Sequence, residues 1–249
     1  GTRISQARRV MGNMNKRGFT MVEVLVVITI IAVLSALGMG AVRSGMARAK
    51  QVHCASNMRQ IGVALTAYAG NNNGFFPETT HTAALNKAWI AALEEEMGSA
   101  YDNLRLCPAD PHMEERRERG GTSYVLNSYI FVPEIGPFGE ELSERCNNIN
   151  CIPEPERTLM AFIVSEGQTV EATSDHTHSR AWTGSWENVL RDIQPDRHRA
   201  GRANSDHSKG SANYLFVDGH VENWRSSEVK RRIDSGENFA EPPSFREEG

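Results

Sequence analysis

The sequence predicts an α+β chain in which one long N-terminal helix, apolar through its first half, packs its second half on a small antiparallel β-sheet. Three observations carry this. Val24 to Val42 contains no charged residue. Cys54, Met58, Ile61, Leu65 and Tyr68 recur at spacings of four, three, four and three, which is one apolar stripe of an amphipathic helix. Further on, two apolar runs flank Asp218-Gly219, the signature of a tight hairpin.

The apolar run comes first. At 1.5 Å per residue it is about 28 Å long, close to the thickness of a bilayer core. Arg3, Arg8, Arg9, Lys16 and Arg17 precede it with no acid among residues 1–18, which favours a cytoplasmic N-terminus. Arg43, Arg48 and Lys50 follow it, so charge asymmetry alone does not decide orientation. A secretory signal peptide would have a shorter apolar core and a small-residue cleavage site after it. Here the helical pattern runs on to Ala69, giving a helix of about 75 Å. Gly70-Asn71-Asn72-Asn73-Gly74 then supplies breaker chemistry. Neither a signal peptide nor a plain signal anchor explains Glu23. An acid at the edge of an apolar run is costly in lipid and marks a functional site; the bland alternative is a side chain that snorkels to the membrane surface.

Downstream, Thr82 to Met97 reads as a helix, Asp110 to Gly121 as an exposed charged stretch, and Tyr124 to Val132 and Thr158 to Ser165 as strands. Pro133 to Pro155 reads as a loop and Glu166 to Ala212 as a long polar insertion. Asn213 to Trp224 reads as a hairpin with a type I′ turn, and Ser226 to Ile233 as a short terminal helix. In domain terms, residues 1–18 are a leader, 19–42 a membrane and assembly helix, and 43–70 its amphipathic continuation. Residues 71–235 are an exported globular domain and 236–249 a disordered tail.

Bulk numbers bound the function. The 249 residues carry a net charge of −4, with a mean hydropathy of −0.46. Without residues 1–18, 22 basic face 31 acidic side chains, a net charge of −9. An acidic exported part argues against nucleic acid as a partner. Cys54, Cys107, Cys146 and Cys151 contain no CxxC pair, so zinc-ribbon spacing is absent. An even cysteine count in an exported chain favours disulfides, and four cysteines allow three pairings. Cys146 and Cys151 enclose a small loop, which leaves Cys54 with Cys107 as a helix-to-domain staple. The alternative is that some of them are free thiols.

Among the histidines, His176, His178, His198, His207 and His220 fall in the C-terminal part with Asp175, Asp206 and Asp218. His207, Asp218 and His220 are the candidate metal ligands, against the plainer reading of a polar hairpin edge. No P-loop, dinucleotide loop or nucleophile elbow accompanies them, so the expectation is a chain that is not an enzyme and has no resident cofactor beyond such an ion. Trp182 and Trp186 are either ligand-stacking or core residues.

Lys16-Arg17-Gly18-Phe19-Thr20-Met21-Val22-Glu23, followed by the apolar run, resembles the cleavage and methylation motif of type IV prepilins and type II secretion pseudopilins. The resemblance implies a pilin-like fold and a cut by prepilin peptidase between Gly18 and Phe19, with N-methylation of Phe19. Met14 to Gly18 is then a complete leader, and Gly1 to Asn13 an upstream extension or a mis-called start. It also implies that Glu23 meets the N-terminal amine of a neighbouring subunit, a pairing that sets register more than stability. The partners implied are other pilin subunits and an inner-membrane assembly platform. The chain would cross the inner membrane once, with its globular domain periplasmic or extracellular in a pilus or pseudopilus.

Where many relatives have a mid-helix proline, this chain has Gly38 and Gly40. Cys54 to Leu65, Gly74-Phe75-Phe76-Pro77 and Leu106-Cys107-Pro108 resemble a large pseudopilin-like group with a C-terminal His-to-Asp-Gly motif. In that group a histidine stands nine residues before the Asp-Gly. Here ten residues separate His207 from Asp218, Ser208 occupies the expected place, and His198 is a displaced counterpart. The rival expectation is a membrane-anchored module that binds a ligand or metal and borrows the same export motif.

Overall fold

In a computed structural model of the chain, residues 19–133, 137–138, 147–199, 201 and 203–246 are described. Contacts divide the chain into two compact units, Gly1–Arg43 and Ser44–Gly249. Helix α1 covers Met21–Asn71 and runs unbroken through Gly38 and Gly40. Among the described side chains from Phe19 to Val42 the large apolar ones are exposed, Phe19 at 78% and Leu34 at 63%. Beyond Ser44 the stripe read from the sequence is the buried one, with Cys54, Met58, Ile61 and Leu65 in the core and Tyr68 half-buried. Asn73, at φ 55°, takes the left-handed conformation that ends the helix.

The sheet has four antiparallel strands in sequence order: β1 Tyr124–Leu126, β2 Leu159–Ile163, β3 Ser211–Phe216 and β4 Val221–Arg225. Every β2 residue is buried, as a central strand covered on both faces must be. Gly62 lets α1 approach β3 closely, because a Cβ there would lie 3.0 Å from Leu215 Cδ1. The remaining helices are short: α2 Trp89–Met97, α3 Tyr101–Leu104, α4 Met113–Glu118, α5 Ser128–Phe131, α6 Trp186–Asp192, α7 Ser226–Asp234 and α8 Pro243–Arg246.

Several local expectations are corrected. The helix expected from Thr82 begins at Trp89, because Thr80 donates through its N–H and Oγ1 to the buried Asp175 carboxylate at 2.8 and 2.7 Å and residues 79–88 fold as turns around that anchor. The strand expected through Val132 stops at Leu126. Asn127 caps α5 by accepting from Tyr129 N–H at 3.2 Å, while its Nδ2 donates to Leu159 O and Ala240 O.

The stretch 110–121, expected to be exposed, forms α4 and sinks Arg116 completely, paired at 3.0 Å with Asp110. The turn between β3 and β4 is not type I′, since only Gly219 in it has positive φ (89°). Gly219 N–H donates to Phe216 O and Phe216 N–H to His220 O, a type I turn closed by a glycine bulge. The polar stretch 166–212 holds α6, a short 3-10 turn at Ser179–Trp182 and the start of β3.

The tail also departs from expectation. Asn238, Phe239 and Ala240 are buried, and the Phe239 ring sits 5.4 Å from Trp182 and 6.0 Å from both Tyr214 and Trp224. One aromatic side chain, placed by the preceding helix α7, outweighs the acidic composition around it.

Candidate functional site: the helix start and a buried cysteine–histidine cluster

Gly18 lies outside the described residues; Phe19 and Glu23 are described. Thr20 is the N-cap of α1. Its N–H and Oγ1 both donate to Glu23 Oε2 at 2.8 Å, and Glu23 N–H donates back to Thr20 Oγ1 at 3.2 Å. This is a capping box, in which two orphan donors of the first turn are satisfied reciprocally. Within a single chain the Glu23 carboxylate therefore already closes its own helix. The signal was legible as Thr-x-x-Glu ahead of an apolar run, yet sequence reasoning used Glu23 only for partner recognition and missed its local task.

Each of four C-terminal histidines pairs with its own aspartate, and only His176 and His178 among them are ring neighbours, their centroids 5.4 Å apart. His176 Nδ1 is 2.7 Å from Asp175, His178 Nδ1 3.4 Å from Asp192, His207 Nδ1 3.1 Å from Asp196 and His220 Nδ1 2.6 Å from Asp218. His207, Asp218 and His220 do not meet as one ligand set. Asp218 and His220 belong to the hairpin turn, whereas His207 precedes β3 at its far end, about 20 Å away along six strand residues. Trp182 is a core residue that donates from Nε1 to Asp192 at 2.8 Å, and Trp186 donates to Asp206 O at 2.7 Å.

A different set converges. Cys54 Sγ, Cys107 Sγ and one ring nitrogen of His198 all lie within 4.8 Å of one another. Both cysteines are fully buried thiols. Three segments distant in sequence bring them together. Cys54 is on the buried stripe of α1. Cys107 follows α3, and the residue before it is tied to α1 by Asn57, which donates to Leu106 O at 2.9 Å. His198 lies on the loop before β3, with its N–H donating to Ser211 O at 2.8 Å.

Around the cluster, Tyr124 Oη lies 3.6 Å from Cys54 Sγ and Asn213 Nδ2 3.3 Å from His198 Nε2, while His198 Nδ1 is buried without a hydrogen-bond partner among the described residues. Burial raises the Cys54 thiol, but the neighbouring Cys107 and His198 outweigh it and hold Cys54 below the ordinary thiol value. Burial, reinforced by the neighbouring Cys54, pushes Cys107 well above it. Cys146 lies outside the described residues, so the Cys146–Cys151 pairing does too; Cys151 is exposed.

No curated protein and no solved structure matches the chain. Residues 13–39 match the family model of the Prokaryotic N-terminal methylation motif, which takes in Gly18, Phe19, the Thr20–Glu23 capping box and the apolar first part of α1.

Proposed function

We propose that this chain is a prepilin-like structural subunit. In this reading prepilin peptidase cuts between Gly18 and Phe19 and methylates Phe19. The subunit waits in the inner membrane, crossing it once with a cytoplasmic N-terminus. It then joins other pilin subunits, through an inner-membrane assembly platform, in a type IV pilus or type II secretion pseudopilus.

The observation that carries the reading is the methylation motif continued into a helix whose described large apolar side chains are exposed through Val42. So large an apolar surface has to be covered by lipid or by like helices. Assembly offers Glu23 a second partner. A neighbour's methylated amine would compete with the Thr20 donors for the same carboxylate, which stays hydrogen-bonded before and after the exchange and is never desolvated alone.

N-terminal mass spectrometry of the protein from native membranes tests the processing. The expected mature chain begins at methylated Phe19; a chain still carrying Met14 to Gly18 in cells with active prepilin peptidase would refute it. For assembly, Glu23→Ala should leave the protein in the membrane and remove it from surface filaments, and unchanged incorporation would sink that part.

A further inference from the structure

We propose that Cys54, Cys107 and His198 form a binding site for a thiophilic divalent cation, Zn2+ being the best match, which staples helix α1 to the sheet domain. The donor set is two sulfurs and an imidazole, the combination zinc prefers over the hard, oxygen-seeking cations. A tetrahedral zinc centre sets its ligand atoms about 3.5–4 Å apart. Ligand atoms already within 4.8 Å of one another reach that spacing by small side-chain rotations.

The charge balance also fits. Two thiolates and a neutral imidazole around a divalent ion make a centre of zero net charge, the form that tolerates the full burial of Cys54 and Cys107. On binding, the ion forms bonds to two sulfurs and one nitrogen, and the thiol protons leave to solvent.

The surroundings support a built site rather than two cysteines in a core. The Tyr124 hydroxyl, 3.6 Å from Cys54 Sγ, can donate to a metal-bound thiolate. His198 Nδ1 is a buried polar atom with no hydrogen-bond partner among the described residues, a cost that an ion bound at that nitrogen would offset. The His198 ring is only half-buried and lines an open pocket with Arg48, Gln51 and Lys209, so an ion has a route in from solvent. The ligands come from α1, the segment after α3 and the loop before β3, so the ion would cross-link the three segments that hold α1 on the sheet. This inference does not depend on filament assembly.

The test is metal analysis of the full chain, purified in detergent from cells grown with zinc, together with Co2+ substitution. The expected result is about one zinc per chain, and a cobalt form with thiolate-to-metal charge-transfer absorption. His198→Ala should lose the metal while keeping the wild-type circular dichroism, and His198→Cys should restore it. Metal retained in the Cys54→Ser/Cys107→Ser double variant would overturn the assignment. So would metal-free protein from native membranes, whether both thiols remain alkylatable or Cys54 and Cys107 are recovered as a disulfide.

Discussion

Replacing Asp110 should unsettle the whole cysteine–histidine region: its backbone N–H donates to Cys107 O at 2.9 Å, and its side chain anchors the elements around the cluster. The carboxylate is buried and holds Arg116 Nε at 3.0 Å and Ser123 Oγ at 2.7 Å, and its other oxygen accepts from His112 N–H at 3.0 Å and lies 3.8 Å from Arg197 Nη1. Arg116 is itself fully buried and has no other carboxylate within ion-pair distance among the described residues, whereas Arg197 keeps Glu166 at 3.0 Å. Asp110→Asn preserves shape and removes the charge, so Arg116 becomes an uncompensated buried cation. Breaking such a pair costs about 3–5 kcal/mol, while replacing both partners by apolar residues is often close to neutral.

Urea unfolding of the chain in detergent, followed by the fluorescence of the buried Trp89 and Trp182, measures this. Asp110→Asn and Arg116→Met should each lower stability by about 3–5 kcal/mol, and Asp110→Leu/Arg116→Met should cost less than either alone. A single-variant cost below about 1 kcal/mol, or a double variant equal to the sum of the singles, would refute the reasoning. Because Asp110 bridges the segment that carries Cys107 to Arg197, the neighbour of His198, the singles should also make Cys54 and Cys107 react faster with alkylating reagents.

Three further outcomes are expected. Phe239→Ala should cost about 3–5 kcal/mol in the same urea titration, since it empties the centre of a five-ring cluster with Phe162, Trp182, Tyr214 and Trp224; an effect below 1 kcal/mol would mean the tail is not anchored there. Thr20→Ala should remove about 1 kcal/mol of cap energy and speed amide exchange in the first turn of α1 about fivefold, with Thr20→Ser close to wild type. Acid should weaken the fold through His81, whose imidazole is held below its ordinary value by burial and then by the charges of His176 and His178. The unfolded chain then binds the proton more readily, so stability is full above about pH 6.5 and declines as pH falls toward the lower folded value; His81→Gln should blunt that decline, seen as Tm against pH.

The reading of the sequence and the structure meet where the signal is periodic or local. The apolar run, the stripe from Cys54 to Leu65 and the Asn213–Trp224 hairpin are written in side-chain spacing, and the strand expected over Thr158 to Ser165 in its β-branched and aromatic content. Spacing follows directly from 3.6 residues per helical turn and two per strand repeat. The methylation motif is contiguous, so it needs no fold to be recognised. Composition misled where a few long-range contacts outweigh many local ones. Residues 110–121 look solvated because seven of them are charged, yet Asp110 and Arg116 solvate each other inside the core. The C-terminal tail looks disordered, yet Phe239 carries enough apolar surface to hold it down.

By itself the sequence determined the N-terminal helix of this protein: where the chain is cut and methylated in the proposed maturation, which segment is apolar enough to cross a bilayer, and which face of the helix beyond it meets a core. Only the tertiary structure decided which cysteines and histidines are neighbours. Cys54, Cys107 and His198 are separated by 53 and 91 residues, and the pairing of segments so far apart depends on how α1, the turn after α3 and the loop before β3 pack, not on any local pattern. The same packing set His207 and Asp218 at opposite ends of one hairpin, because an antiparallel strand carries residues apart at about 3.3 Å each however close they stand in sequence.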